Sequence, residues 1–182
     1  SAVGAVINNM TFTGSTPITV SSTNNITGVV TFTGSTANNT VTVTDTTAQT
    51  ISFGSGNDTI TTGVVASSTQ TINGGAGNDT MTAGIITTAG VLQLNGDAGS
   101  DIITVAAMTG ATTASSATIN GGTGVDFITL DANAGNTVDV VSTATTLADA
   151  DKITGFTTTV DDFDYDGALV NDTATTITAV SN

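Results

Sequence analysis

Four segments of this chain repeat one order of residues. They are ISFGSGNDTIT from Ile51, INGGAGNDTMT from Ile72, LNGDAGSDIIT from Leu94 and INGGTGVDFIT from Ile119. Each runs from an apolar residue through a glycine-rich turn to an Asp and a strand-like run. The acids, Asp58, Asp79, Asp101 and Asp126, follow one another at intervals of 21, 22 and 25 residues. A recurrence every ~20–50 residues marks a repeat architecture, in which each unit buries its apolar side only against its neighbours. The period extends toward the N-terminus without the acid: TFTGST occupies residues 11–16 and again 31–36. Phe12 and Phe32 are expected in the slot that Ile51 and Ile72 hold later. No Pro/Gly-rich linker divides the chain, so a single all-β solenoid is expected.

Roughly 20 residues make two short strands and two turns. Two positions after each acid stand Ile60, Met81, Ile103 and Ile128, a row that should point inward. One position further, Thr61, Thr82, Thr104 and Thr129 should point outward. Asn73, Asn95 and Asn120, with Ser52 in the first of these coils, form a further row. Stacked coils bring equivalent residues to about 4.8 Å, so each row becomes a ladder. Strand-fitting alone accounts for Thr and Asn rows of this kind.

Composition narrows the reading. A Thr/Gly-rich acidic chain could be disordered, but 38% of its residues are hydrophobic and they alternate with Thr. Fifteen acidic residues face one basic residue, for a net charge of −14. All the acids are Asp, and the base is Lys152. Such a chain has no positive surface for nucleic acid or phosphate, and it points to cation binding or to solubility in a salty medium. It has no Cys, hence no disulfide framework. No apolar run approaches the ~18 residues of a membrane span. The opening SAVGAVINNM lacks the basic start and long apolar middle of a secretion signal.

GGAGNDTMT (74–82) and GGTGVDFIT (121–129) both fit Gly-Gly-x-Gly-x-Asp-x-U-x, with U a large apolar residue. GDAGSDIIT (96–104) carries Asp97 at the second glycine, and FGSGNDTIT (53–61) has Phe53 at the first. This pattern resembles the RTX, or haemolysin-type, calcium-binding nonapeptide. The resemblance implies a right-handed parallel β-solenoid, or β-roll, of about 20–25 residues per coil, with calcium between stacked turns. Calcium takes ~6–8 oxygens, and glycines let a turn aim successive carbonyls inward. The expected ligands are Gly54, Gly56 and Asp58; Gly75, Gly77 and Asp79; Gly96, Asp97, Gly99 and Asp101; and Gly122, Gly124 and Asp126. Three gaps follow, Asp58/Asp79, Asp79/Asp101 and Asp101/Asp126, and hence about three Ca2+ ions. The motif lines one side only, so one ion row and an irregular opposite edge are expected. Two carboxylates about 5 Å apart repel by ~0.8 kcal/mol in water and ~3 kcal/mol at an effective dielectric of 20. Asp as a plain turn former leaves that in-register recurrence unexplained.

Beyond Leu130 the acids and aromatics concentrate in DADKITGFTTTVDDFDYDG (149–167). This resembles the closing segment that often follows such repeats. A short helix is expected over 144–151. DFDYDG (162–167) reads as the opening of an EF-hand-like loop, with ligands Asp162, Asp164 and Asp166, but Thr173 stands where such a loop has Glu. The alternative is an edge strand. The expected organisation is thus one domain over 1–182: metal-free coils over 1–50, calcium coils over 51–131, and a capping or assembly segment over 132–182.

An enzyme is the weakest class, because the chain lacks His, Cys, Glu and Arg, and acid–base work would fall to Asp, Tyr165 or Lys152. The resemblance implies export by a type I system and folding on calcium outside the cell. The function expected is a secreted structural protein that assembles with copies of itself into a bacterial surface layer or extracellular filament. A cell-surface glycan is a second candidate partner; nucleic acid and membrane insertion are not expected. Two alternatives are a calcium-stiffened spacer of a larger adhesin and an ice-binding module. The ice reading rests on the turn positions Ser55-Asn57, Ala76-Asn78, Ala98-Ser100 and Thr123-Val125, which form an irregular row.

Overall fold

A computed structural model describes residues 7–22, 26–32, 35–43, 47–106, 115–131, 137–142, 151–155 and 161–165. Among these residues there is no helix. The chain is a parallel β-solenoid with about 21 residues per turn. One sheet stacks eight strands: Ile7–Thr11, Ile26–Thr31, Gln49–Ser52, Thr69–Asn73, Val91–Asn95, Ser116–Asn120, Thr137–Ser142 and Asp161–Tyr165. The second stacks seven: Thr19–Ser22, Thr40–Val43, Thr59–Thr62, Thr80–Ala83, Ile102–Val105, Phe127–Leu130 and Lys152–Thr154. Successive coils alternate a strand in the first sheet with one in the second, and neighbouring coils pair in parallel. On the edge opposite the glycine turns, Val65–Ala66 pairs with Ile86–Thr87.

The side-chain period of two places the core. Ile51, Ile72, Leu94 and Ile119 stack inward from the first sheet. Ile60, Met81, Ile103 and Ile128 stack inward from the second and are almost fully buried, while Thr61, Thr82, Thr104 and Thr129 face out. Each such buried side chain contributes about 1.5–3 kcal/mol relative to exposure. The Asn row forms as a ladder: Asn73 Nδ2 donates to Ser52 Oγ at 2.9 Å, and Asn95 Nδ2 to Asn73 Oδ1 at 2.7 Å.

One placement differs from the sequence reading. Phe12 and Phe32 do not share the slot of Ile51 and Ile72, because Val30 pairs with Ile51 and Met10 with Val30. The two phenylalanines stand two residues later, at the first turn position, where they stack with Phe53. The ring centroids are 4.9 Å apart for Phe12–Phe32 and 4.7 Å for Phe32–Phe53. Strand pairing sets this register. The TFTGST match aligns the phenylalanines with one another, not with the isoleucines.

A candidate cation row along the glycine turns

The turns stack as closely as the strands. Ser55, Ala76, Ala98 and Thr123 form successive parallel bridges. The N–H groups of Gly56, Gly77 and Gly99 donate to Ala76, Ala98 and Thr123 of the next coil, at 2.7–2.9 Å. Returning bonds run from Ala76 to Gly54 O, from Ala98 to Gly75 O and from Thr123 to Asp97 O, each 2.8 Å. Gly99 shows why glycine is required: its φ is +145°, and a Cβ there would collide with the Gly77 carbonyl oxygen. Asp97 adopts φ +71° in the place of a glycine, and its exposed Oδ2 accepts the Gly75 N–H at 3.3 Å.

Two side-chain ladders flank the turn and run in opposite directions. On the outside, the Asn57 N–H donates to Asn38 Oδ1, Asn78 to Asn57 Oδ1 and Ser100 to Asn78 Oδ1, each at 2.9 Å. The Asn57 and Asn78 positions considered for ice binding are therefore part of the turn's own bonding. On the inside, the Asp58 N–H donates to Asp79 Oδ1 at 2.7 Å, Asp79 to Asp101 Oδ1 at 2.7 Å and Asp101 to Asp126 Oδ1 at 2.8 Å. The longer interval between Asp101 and Asp126 does not disturb this bond.

The second oxygen of each acid is the chemical feature of the site. Asp58, Asp79, Asp101 and Asp126 are at most 1% exposed, and Oδ2 of each is buried without a hydrogen-bond partner. A buried acceptor left unmatched costs about 1–3 kcal/mol, and more when charged. In two gaps the opposing group is visible. A Cβ on Gly74 would lie 2.5 Å from Asp79 Oδ2 and 2.8 Å from the Gly96 carbonyl oxygen. A Cβ on Gly96 would meet Asp101 Oδ2 and the Gly121 carbonyl oxygen in the same way. Each space left by a glycine thus holds acceptor against acceptor. A bound cation or a proton on the carboxyl relieves that conflict, and a cation fits the all-oxygen donor set.

Burial raises all four carboxyls. Asp79 is pushed up to about 7, with the neighbouring charges of Asp101, Asp58 and Asp97 adding to the rise and the Asp58 N–H opposing it. Asp101 and Asp126 are pushed up to about 6, again mainly by burial. Asp58 is raised by burial, against hydrogen bonds from the Asn39 backbone and side chain.

Two members of the row escaped the sequence reading. Asn39 takes the acid's place one coil before Asp58: its N–H donates to Asp58 Oδ1 at 2.6 Å, and its Nδ2 donates to Asp58 Oδ1 at 2.9 Å and to Ala37 O at 2.8 Å. Asp151 follows Asp126, whose N–H donates to Asp151 Oδ1 at 3.0 Å. The first-position glycines Gly74 and Gly121, present in the motif, also border the acids more directly than Gly75 or Gly122. Gly54, Gly56, Gly75, Gly77, Gly99, Gly122 and Gly124 build the turn around the row. Asp162 and Asp164 lie in the strand Asp161–Tyr165, paired with Thr137–Ser142 in the first sheet, away from the turn row. Asp166 and most of the expected helix lie outside the described residues. Among the described residues, no three acidic side chains converge on one point, so an ion here would need backbone carbonyls, neutral side-chain oxygens or water beside the acids. No protein-family model matches this chain, and neither a curated protein nor a solved structure matches it.

Proposed function

We propose that this chain is a calcium-binding structural solenoid of the RTX kind, which folds on calcium outside the cell and assembles with copies of itself into a layer or filament. The observation that carries this reading is the row of buried Asp side chains, each with an unmatched Oδ2, two of them facing glycine carbonyl oxygens of the next coil. Ca2+ in the gaps Asp58/Asp79, Asp79/Asp101 and Asp101/Asp126 would supply the positive charge these oxygens lack. An ion that binds the stacked state and not the unfolded chain drives folding by mass action. Extracellular calcium modules bind at roughly 10⁻⁴–10⁻³ M, which suits a chain that stays loose in the cytosol and folds after export. The acids serve the stack rather than a substrate, so the role is non-enzymatic.

Two features support assembly. Within the described residues both sheets end on strands paired on one side only, and such edges accept further strands. Met10, Phe12, Ile18 and Val20 pack against the core from the first of these ends. The second sheet also presents an outer face whose sole charge, among the described residues, is Lys152, and on it Ile102 is 50% and Phe127 is 47% exposed. Copies of a strongly acidic chain can meet there without charge repulsion.

Circular dichroism during a calcium titration tests the folding claim: β signal should rise with calcium and fall on chelation. A spectrum indifferent to both would sink it. Electron microscopy with and without calcium tests assembly, and dispersed monomers in both would refute that part. One observation favours the ice-binding alternative: Ser21, Thr42, Thr61, Thr82, Thr104, Thr129 and Thr154 form one outward hydroxyl row in unbroken register on the second sheet. A thermal-hysteresis assay separates that reading from the structural one.

A further inference from the structure

The acid row runs one coil further than the repeat motif. Asp151 stands in TLADADKIT, where no glycine-rich turn announces it. Its Oδ1 nevertheless accepts the Asp126 N–H at 3.0 Å, the bond that Asp79, Asp101 and Asp126 each make to the coil before them. Lys152, Ile153 and Thr154 then pair with Phe127, Ile128 and Thr129, and the Lys152 N–H donates to Asp126 O at 2.7 Å. Asp151 therefore holds the acid's position in the next coil.

The gap it closes carries an independent mark. Asp126 is fully buried, and its Oδ2 has no partner. That oxygen lies in the space over Gly121, as Asp101 Oδ2 lies over Gly96 and Asp79 Oδ2 over Gly74. In those two coils the oxygen faces the coil that follows, so the unmatched oxygen of Asp126 belongs to the gap between Asp126 and Asp151. The four motif acids close three gaps among themselves, and Asp126 opens a fourth. The other end of the row is closed by chemistry of another kind. There the Asn39 amide, a neutral hydrogen-bond donor, bridges Asp58 Oδ1 and the Ala37 carbonyl, so that gap needs no ion.

We infer that the gap between Asp126 and Asp151 is a fourth divalent-cation position, held by carboxylate oxygens of both residues. The inference rests on the calcium reading above and adds one ion to it. Two acids meet in this gap, and a divalent ion there answers both charges.

The test is a calcium count by equilibrium dialysis on the full chain, with Asp162→Asn, Asp164→Asn and Asp166→Asn introduced so that the EF-hand-like ligands of the C-terminal segment add nothing. That chain should bind four ions, and a count of three overturns the inference. Adding Asp151→Asn keeps the oxygen that accepts the Asp126 N–H and removes the charge. It should lower the count by one while β content at saturating calcium is retained. An unchanged count overturns the fourth position and leaves the calcium reading standing. A parent chain that binds no calcium overturns the calcium reading itself. If the Asp151→Asn chain does not fold, the parent count of four or three still decides.

Discussion

Asp79 divides its work between two oxygens. Oδ1 accepts the Asp58 N–H at 2.7 Å, and Oδ2 stays buried and unmatched. Asn39 is the chain's own demonstration of the neutral alternative, with Nδ2 bonded to Asp58 Oδ1 and to a backbone carbonyl. Asp79→Asn would likewise set a donor opposite the Gly96 carbonyl. In chelator this variant should be more stable than the parent by about 1–3 kcal/mol, the usual penalty of an unmatched buried acceptor. It should also gain less from calcium. Urea unfolding with and without calcium checks both, and a variant weaker than the parent in chelator would contradict the argument. Acidity follows the same logic. Folding raises Asp79 from 3.8 to about 7, and Asp101 and Asp126 to about 6. The folded state therefore holds its protons more tightly than the unfolded chain. That stabilisation is complete below about pH 4 and is lost as pH rises through 6 to 7. The metal-free solenoid should accordingly melt at a lower temperature at pH 8 than at pH 5. Calcium displaces those protons, so its stabilising effect should grow over the same interval. Thermal melts in chelator and in calcium at the two pH values test the sign.

At the scale of the turn, one position decides what kind of layer a coil makes. Phe12, Phe32 and Phe53, then Gly74 and Gly96, each donate their N–H to the outward residue of the next coil, so they are equivalent. The phenylalanines fill that place with a ring stack, and the glycines leave it to the carboxylate. Phe32→Ala should cost about 3–5 kcal/mol, by the same amount in calcium and in chelator. Gly96→Ala would push a methyl against Asp101 Oδ2 and the Gly121 carbonyl. It should cost about 1–3 kcal/mol and also weaken the calcium response. Denaturation of both variants in the two buffers separates an apolar layer from a polar one. This division was only half legible in the sequence. The inward rows of Ile60 and Met81 could be read because a strand's side chains alternate whatever their neighbours are. The Asp row could be read because its turns keep one length from Phe53 to Asp126. Asn39 escaped because it stands seven residues after Phe32, whereas Asp58 stands five after Phe53, so its spacing differs. Asp151 escaped because no glycine precedes it, and the acid's position there is set by strand pairing alone. The phenylalanine slot was misjudged because repeated words in a sequence align with each other before they align with a sheet.

At the scale of the molecule, each coil touches only the coils beside it, so stability is close to a sum over coils and gaps. That sum is opposed by charge: fifteen acids and one base share one stack. Each bound divalent ion removes two negative charges from within the row. Calcium therefore acts twice in the proposed function, tightening the stack and lowering the repulsion between copies. The second sheet is the surface where that second effect can be used, since Ile102 and Phe127 lie side by side in register there, beside the hydroxyl row that includes Thr104 and Thr129. Ile102→Asp would put an acid in the middle of this face, two strands away from Lys152. The side chain is 50% exposed, so the fold should tolerate the change, and the calcium-dependent rise in β signal should match the parent's. Calcium-induced assembly, followed by light scattering, should instead be suppressed. Assembly equal to the parent's would move the contact away from this face, to the end strands that are paired on one side only among the described residues.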